Sequence, residues 1–405
     1  MEYAELKKEL RNRVQEKMDF VKDFTDAEVE DTIDEVMLEQ EGLAVYPVEV
    51  RRKLKKELFD SLRRLDILQI FVDDSSVTEI MINGKDHIFV EQGGKLRELE
   101  TGFESTEKLQ DVIQQIVAGC NRVVNEASPI VDARLPDGSR VNIVMNPVAL
   151  NGPIVTIRRF PDKPVTMERL LQIGSVSAEA ADFLKVLVKA KYNIFISGGT
   201  GSGKTTFLNV LSQYIPTEER VITIEDSAEL QLQGLPNLVR LETRNSNVEG
   251  CNEITIRDLI KSSLRMRPDR IVVGEVRGAE AIDMLQCLNT GHDGSMSTGH
   301  ANSGRDMLAR LENMVLMGME LPLAAIRQQI ASGVDIIVHL GRLRDKSRKV
   351  LEIVELTGYK NDEILLNPLF VFEETGEDGE GNVIGSLQKK GELIHGHKLK
   401  TAGLS

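Results

Sequence analysis

The sequence predicts an α/β protein in three successive parts: amphipathic N-terminal helices, a small mixed α/β domain, and a larger domain built on a mostly parallel sheet. Three observations support this prediction. Apolar residues recur at helical spacing before residue 60, short strand-like runs fill about 61–160, and strand-like and helical segments alternate from about 176 onward. A chain of 405 residues also exceeds one ordinary core, because single cores stop growing near about 250 to 300 residues.

The first part, residues 1–60, is rich in lysine, glutamate, arginine and aspartate. Leucines at 54, 58, 62 and 65 follow helical spacing near its end. A charged amphipathic helix of this kind is most often solvated on its polar face. We therefore predict helices here and assign them no chemistry.

The second part, residues 61–160, consists of strand-like runs beside turn pairs. The runs at 80–82 and 87–90 each precede a glycine-containing turn, and the run at 141–144 follows Asp137-Gly138. These features predict a small mixed α/β domain. The segment from Phe160 to Pro164 contains two prolines, which interrupt regular secondary structure. This favours a linker between domains over 161–175.

The third part, residues 176–405, alternates buried strand patterns with helical ones. The strand-like runs lie at 194–196, 221–224, 271–273 and 336–338, and a helical pattern begins at Ile256. Such alternation predicts a mostly parallel sheet covered by helices, followed by a C-terminal subdomain. The stretch from Gly376 to Gly381 is polar and turn-rich and points to no chemistry.

Composition narrows the class of protein. No apolar run approaches the roughly 18 to 20 residues that cross a bilayer, and the charged opening Met1 to Lys8 does not resemble a signal peptide, so we expect a cytoplasmic protein. Cys120, Cys251 and Cys287 show no metal-binding spacing and are expected to be reduced, structural thiols. A net charge of -14 argues against a basic nucleic-acid-binding domain, and we expect no direct nucleic-acid partner.

The strongest chemical signal is a glycine-rich segment that follows the apolar run ending at Ile196 and precedes a helical pattern. Its sequence matches the phosphate-binding loop motif, and its position between a predicted strand and a predicted helix matches the context of that loop. Glycines let backbone N–H groups surround an anion, and the helix N-terminus adds positive potential. Lys204 is expected to reach the β and γ phosphates of ATP, and the hydroxyl of Thr205 is expected to bind Mg²⁺. The loop residues are Gly198, Gly199, Thr200, Gly201, Ser202, Gly203, Lys204, Thr205 and Thr206.

Hydrolysis requires a group that orients the attacking water. The run ending in Gly274-Glu275 supplies a carboxylate at the end of a buried strand, whereas Gly274 occupies the place where many P-loop enzymes hold a magnesium-facing aspartate. Glu275 is therefore the first candidate for positioning water. A second acidic strand end, Glu225-Asp226 with Glu229 beyond, could face the same magnesium ion or water, and either cluster could instead cap a helix.

A third segment, Thr290 to Asn302, is crowded with small and polar residues and contains His292 and His300. Their spacing does not match a zinc-binding pattern. Taken alone, the two histidines are most simply hydrogen-bonded turn residues.

Four stretches in fixed order resemble the Walker A, Asp box, atypical Walker B and His box of the secretion ATPase superfamily of type II secretion, type IV secretion and type IV pili. The four are Gly198–Thr206, Thr223–Asp226, Val273–Arg277 and the histidine segment ending at His300. The wider sequence is similar to the tight-adherence (Flp) pilus assembly ATPases, the CpaF and TadA proteins. The stretches carrying that similarity are Asp132–Asn142, Thr156–Phe160 and Leu264–Ile271.

This resemblance implies a homo-hexameric ring whose subunits each join an N-terminal domain to a RecA-like ATPase domain. It implies ATP and Mg²⁺ as ligands, with Glu275 catalytic, Glu225 assisting at the metal and water, and His300 sensing the γ-phosphate. It further implies inner-membrane platform proteins as partners, a pilin-like substrate moved indirectly, and peripheral association with the cytoplasmic membrane. One departure is Gly299, where many relatives carry a larger apolar residue. The arginines implicated are Arg140 and Arg158 from the N-terminal domain, and Arg240, Arg265 and Arg277 from the ATPase domain.

Three alternatives stay open at the level of sequence. A type IV secretion ATPase that exports DNA or effector proteins shares all four motifs. A P-loop switch would use nucleotide occupancy without turnover. A RecA-like nucleic-acid motor is disfavoured by the acidic charge balance and by the aromatic content of 4%.

Overall fold

The computed structural model describes residues 3–18, 24–120, 122–159, 164–244 and 253–404. The chain folds into two compact units, residues 1–163 and 164–405. Among the described residues, no helix is both long and apolar enough to cross a membrane.

The first unit begins with three helices, α1 (Tyr3–Lys17), α2 (Asp26–Glu39) and α3 (Val48–Arg63). They pack around their own apolar core, to which Leu10, Ile33 and Leu58 contribute fully buried side chains. Thr25 and Glu28 form a reciprocal capping box that begins α2. The helices predicted for residues 1–60 are therefore present, and the last extends three residues further.

The rest of the first unit is a six-stranded antiparallel sheet with one long helix packed on it. Its strand order is β3-β2-β1-β6-β5-β4, and its core includes Ile80, Ile113 and Ile157. The elements are α4 (Gln69–Asp73), β1 (Val77–Asn83), β2 (His87–Gln92), β3 (Lys95–Glu98), α5 (Thr106–Ala118), β4 (Ile130–Arg134), β5 (Arg140–Val144) and β6 (Ile154–Arg158).

The second unit is built on a nine-stranded sheet in the order β15-β14-β13-β12-β7-β11-β10-β8-β9. Neighbours from β12 through β9 in this order pair in parallel, as the sequence predicts. The elements up to the sixth parallel strand are α6 (Met167–Gln172), α7 (Ala178–Lys189), β7 (Ile194–Gly198), α8 (Lys204–Ser212), β8 (Val221–Glu225), β9 (Leu238–Glu242), α9 (Ile256–Ser263), β10 (Arg270–Val273), α10 (Ala281–Leu288), β11 (Met296–Gly299), α11 (Gly304–Gly318), α12 (Leu323–Gly333) and β12 (Ile336–Arg342).

Three antiparallel strands extend this sheet beyond β12, an extension that the sequence did not predict. They are β13 (Arg348–Lys360), β14 (Glu363–Glu377) and β15 (Val383–Lys389), followed by the short helix α13 (His397–Thr401). The turn-rich stretch from Gly376 to Gly381 starts in the last two residues of β14 and leads toward β15. Glu355, which is 1% exposed, accepts hydrogen bonds from the backbone N–H groups of Ile394 and His395 and so ties the C-terminal segment to the sheet.

The boundary between the units differs from the linker predicted over 161–175. Phe160 to Lys163 lie outside the described residues, and residues from Pro164 onward belong to the second unit. Helix α6 carries Met167 and Leu170, which are buried in the same core as β7 and α8. Apolar burial therefore draws most of the predicted linker into the larger unit.

Candidate nucleotide-binding site

The glycine-rich loop joins β7 to α8, as expected for a phosphate-binding loop. Gly201 and Gly203 have φ angles of 70° and 95°, a left-handed conformation that glycine adopts without strain. A Cβ at Gly198 would lie 2.4 Å from the carbonyl oxygen of Leu340, so only glycine fits there. Helix α8 begins at Lys204, which directs its N-terminal N–H groups and its positive potential into the loop.

Lys204 is buried and folded over this loop. Its Nζ donates to the carbonyl oxygens of Gly198 and Gly199, each at 3.1 Å, and lies 3.4 Å from Nδ1 of His300. Burial lowers the pKa of Lys204, and the nearby Glu275 carboxylate opposes that effect. The cation is therefore held among backbone oxygens at the centre of the loop.

The hydroxyl residues of the loop occupy different environments. Oγ of Ser202 donates to the carbonyl of Gly199 at 2.9 Å, which closes the loop on itself. Thr200 is exposed at the tip, whereas Thr205 and Thr206 are half-buried in the first turn of α8. Thr205 is thus on the helix turn where the sequence assigns a magnesium-binding hydroxyl.

Glu275 follows β10 and lies beside both His300 and Arg277. Its Oε2 accepts hydrogen bonds from Nε and Nη2 of Arg277, at 2.9 and 2.7 Å. Its Oε1 is buried and accepts no hydrogen bond from the described residues, although Nε2 of His300 lies 2.9 Å away. One oxygen of this carboxylate is therefore anchored by Arg277, while the other lies against the imidazole of His300.

Glu225 ends β8, the strand that neighbours β10, and is 4% exposed. Its Oε1 accepts the backbone N–H groups of Glu229 and Leu230, at 2.7 and 2.8 Å. A Cβ at Gly274 would lie only 2.9 Å from Cγ of Glu225. Gly274 is thus required because the Glu225 side chain fills the space that a larger residue at this position would need.

His300 follows β11, which pairs with β7 in the sheet. Burial lowers its pKa, and the positive charge of Lys204 lowers it further. A Cβ at Gly299 would lie within 3.0 Å of Met307 and Phe195 side-chain atoms. The glycine that departs from the family pattern therefore matches close packing behind the histidine. His292, by contrast, lies in the turn before β11, at the opposite end of that strand.

A cleft of about 460 Å³ opens beside the loop. Asp306 and Arg310 on α11 line this cleft and were not predicted as site residues, because they occupy ordinary polar positions on an amphipathic helix. No group of three histidine, cysteine, aspartate or glutamate side chains among the described residues converges as a metal cluster. The residues lining the cleft include Gly199, Thr200, His300, Asn302, Asp306 and Arg310.

The five arginines predicted from the sequence lie in different parts of the structure and have different contacts. Arg277 contacts Glu275, but Arg240 is on the edge strand β9 and donates to the carbonyl of Leu230. Arg265 is exposed in the turn after α9, and its side chain makes no ion pair or hydrogen bond with the described residues. Arg140 and Arg158 face each other across β5 and β6 in the first unit, where Arg158 also pairs with Glu79.

The structure adds an arginine that no sequence pattern singles out. Arg348 begins β13, and its Nε donates to the carbonyl oxygen of Gly201 at 2.8 Å. The two residues are 147 positions apart in the chain. Only the antiparallel extension of the sheet brings this cation to the loop.

The sequence of the chain matches a known protein family. Residues 62–376 match the family described as type II/IV secretion system protein. The chain is 35% identical over 296 residues to a putative conjugal transfer protein of Mycobacterium tuberculosis, covering 72% of this chain and 84% of that protein.

Two solved structures are also similar to the chain. It is 31% identical to the VirB11 ATPase of the Brucella suis type IV secretion system, covering 71% of this chain and 92% of that one with a TM-score of 0.40. The pilus retraction motor PilT with bound ADP is 18% identical, with a TM-score of 0.53 and coverage of 84% and 87%. The likeness to PilT shows a shared fold.

Proposed function

Because the chain belongs to the type II/IV secretion system protein family and is an ATPase, we propose that it drives assembly of a surface pilus of the tight-adherence type. The observation that carries the catalytic part is the pairing of a phosphate-binding loop with Glu275, whose Oε1 is buried and accepts no hydrogen bond from the described residues. The pilus assignment rests on the similarity of three stretches to the CpaF and TadA proteins.

In this mechanism the loop N–H groups and Lys204 bind the phosphates of ATP. Glu275 orients a water molecule through Oε1 while Arg277 fixes Oε2, so that the water oxygen attacks the γ-phosphorus and the β–γ bridging oxygen leaves with ADP. His300, beside both Glu275 and Lys204, is placed to respond to the γ-phosphate. The products are ADP and inorganic phosphate.

Magnesium suits the residues of this site. Oxygen ligands are preferred by this ion, which keeps several waters and takes most other ligands from substrate phosphates. The half-buried Thr205 hydroxyl and the buried Glu225 carboxylate are the protein oxygens that would hold it, directly or through water. When bound with ATP, the ion neutralises charge on the phosphate oxygens.

A ring of six subunits is part of this proposal. Arg140 and Arg158 of the N-terminal unit would supply positive charge to the transferred phosphate, a role worth roughly a thousandfold or more for an arginine finger. Hydrolysis in successive subunits would then move a membrane platform that assembles pilin-like subunits. Such a motor would work in the cytoplasm at the inner face of the membrane.

Conjugal transfer of DNA is the second candidate. The name of the Mycobacterium tuberculosis relative, at 35% identity, favours it. The two candidates differ in cellular outcome: deleting the gene should abolish surface pili under the first and plasmid transfer under the second. Loss of transfer with intact pili would replace the pilus assignment and leave the ATPase mechanism unchanged.

Lys204→Ala should lose tight ATP binding, because it removes the cation at the phosphates.

Mixing experiments test whether the active protein is a ring of subunits. Inactive Glu275→Gln subunits added to parental protein should depress ATP hydrolysis more than in proportion to their fraction. Strictly proportional loss, together with a monomer in light scattering at working concentration, would contradict the ring.

A further inference from the structure

The contact between Arg348 and the phosphate-binding loop identifies a flank of the site that the catalytic residues leave open. Nε of Arg348 is bonded to Gly201, and its Cδ lies 3.6 Å from where a Cβ of Gly203 would be. The side chain is exposed, and its other N–H groups donate to no atom among the described residues. A planar cation with unused donors is therefore fixed at the rim of the loop.

The strand order shows which end of a nucleotide this flank would receive. Glu275 and His300 follow β10 and β11, which lie on one side of β7 in the sheet. Arg348 begins β13, which lies on the other side of β7, beyond β12. The γ-phosphate must lie near Glu275 for water to attack it. A triphosphate that crosses the loop then directs its nucleoside toward β12 and β13.

The surroundings of Arg348 suit a nucleoside. The turn preceding α7 is tied to the start of β13, since Oγ of Ser175 donates to the Arg348 carbonyl at 2.7 Å. Nζ of Lys349 likewise donates to the carbonyl of Gly174 at 2.8 Å. The same turn carries Ile173, whose apolar side chain is 45% exposed. A guanidinium plane is a group that commonly packs on an aromatic ring.

We propose that Arg348 is a nucleoside-binding residue that clamps the loop through Gly201 and packs its guanidinium against the base or ribose of the bound nucleotide. This inference deepens the proposed function, because it rests on ATP occupying the loop. It assigns to the antiparallel extension a direct part in the nucleotide site. The chemical class it recognises is the nucleoside, not the phosphate chain.

Direct calorimetric titration of the full chain with MgATP, MgADP and inorganic tripolyphosphate tests this assignment. Arg348→Ala should weaken ATP and ADP binding about tenfold, between the sizes of an exposed and a desolvated cation–π contact, and weaken tripolyphosphate binding much less, because tripolyphosphate lacks the nucleoside. Arg348→Lys should fall between, because it keeps the charge but not the plane. The control is Arg305→Ala, which removes an exposed arginine of α11 and should change nothing.

Two results would overturn the assignment. Equal weakening of ATP, ADP and tripolyphosphate would reduce Arg348 to a support of the loop, and unchanged affinity for all three would remove it from the site. Failure of the parental protein to bind ATP would instead contradict the proposed function. The two failures are therefore distinguishable in the same set of titrations.

Discussion

Glu225 ends β8 and Glu275 follows β10, its parallel neighbour in the sheet, yet their environments differ sharply. Glu225 is 4% exposed, and Oε1 is bound by two backbone N–H groups. Glu275 has a side chain that is 20% exposed, with Oε2 held by Arg277 and Oε1 lying 2.9 Å from Nε2 of His300. The two carboxylates are thus anchored differently: backbone donors hold Glu225, whereas the Arg277 side chain holds Glu275 beside His300.

The largest effect on stability should follow from removing the backbone-bound carboxylate. Glu225→Ala leaves the N–H groups of Glu229 and Leu230 without their acceptor, at a cost of about 1 to 3 kcal/mol for the buried Leu230 donor and less for the half-buried Glu229 donor. Urea unfolding should show a clearly lower midpoint than for Glu275→Ala, and Glu225→Gln, which keeps an acceptor, should lie between. Equal urea midpoints for the two alanine variants would show that the backbone-bound carboxylate of Glu225 contributes no more to stability than that of Glu275.

A methyl group between the two carboxylates should affect turnover next. In Gly274→Ala the new Cβ would meet Cγ of Glu225 at 2.9 Å, which forces that side chain to shift at about 1 to 3 kcal/mol. We expect ATP hydrolysis to fall about tenfold with binding retained, since about 1.4 kcal/mol corresponds to tenfold. Gly278→Ala, whose Cβ would meet nothing closer than 3.4 Å, is the control. Parental turnover in Gly274→Ala would show that the position of Glu225 does not matter.

Freeing the second oxygen of Glu275 should have a smaller effect. Arg277→Ala removes two hydrogen bonds that orient the carboxylate, so we expect kcat to fall severalfold, in line with about 1 kcal/mol for an oriented hydrogen bond, while KM changes little. Steady-state kinetics beside Arg305→Ala, an exposed arginine of α11, is the measurement. A change confined to KM would assign Arg277 to nucleotide binding.

The smallest effect lies behind the phosphate-binding loop, where Oγ of Ser197 and Nδ1 of His339 are 2.8 Å apart in the interior. Burial lowers the pKa of His339 below its usual value of 6.5. The unfolded chain therefore binds a proton near pH 6.5 that the folded chain does not, and stability present above that pH declines as the pH falls. His339→Gln should flatten this decline in acid unfolding curves. It will not abolish the decline, because the pKa of His300 is lowered as well.

Much of the larger unit could be predicted from sequence because its central strands are buried on both faces. Runs such as Ile194–Ile196 and Ile271–Val273 are continuously apolar, and the loop has a distinctive spelling. Strands β13 to β15 carry exposed and charged positions and several register shifts, so no simple period marks them. The antiparallel extension was therefore missed.

In the site, too, only residues within a local sequence pattern could be predicted. Lys204 and Glu275 could be selected because each sits in a local pattern beside a predicted strand. Arg348 could not, because its contact with Gly201 spans 147 residues and no local feature distinguishes it from other surface arginines. The requirement for Gly274 likewise depends on the Glu225 side chain, which only the folded sheet brings alongside.

Phosphate release by Glu275→Gln under saturating MgATP, with ATP binding measured on the same sample, tests the division of roles between the two carboxylates most directly. A neutral amide keeps the shape of the side chain but orients water poorly. We predict binding close to parental and turnover lower by at least about a hundredfold, the low end of the range for a positioned catalytic base. Turnover at the parental rate would contradict it and make Glu225 the carboxylate to examine.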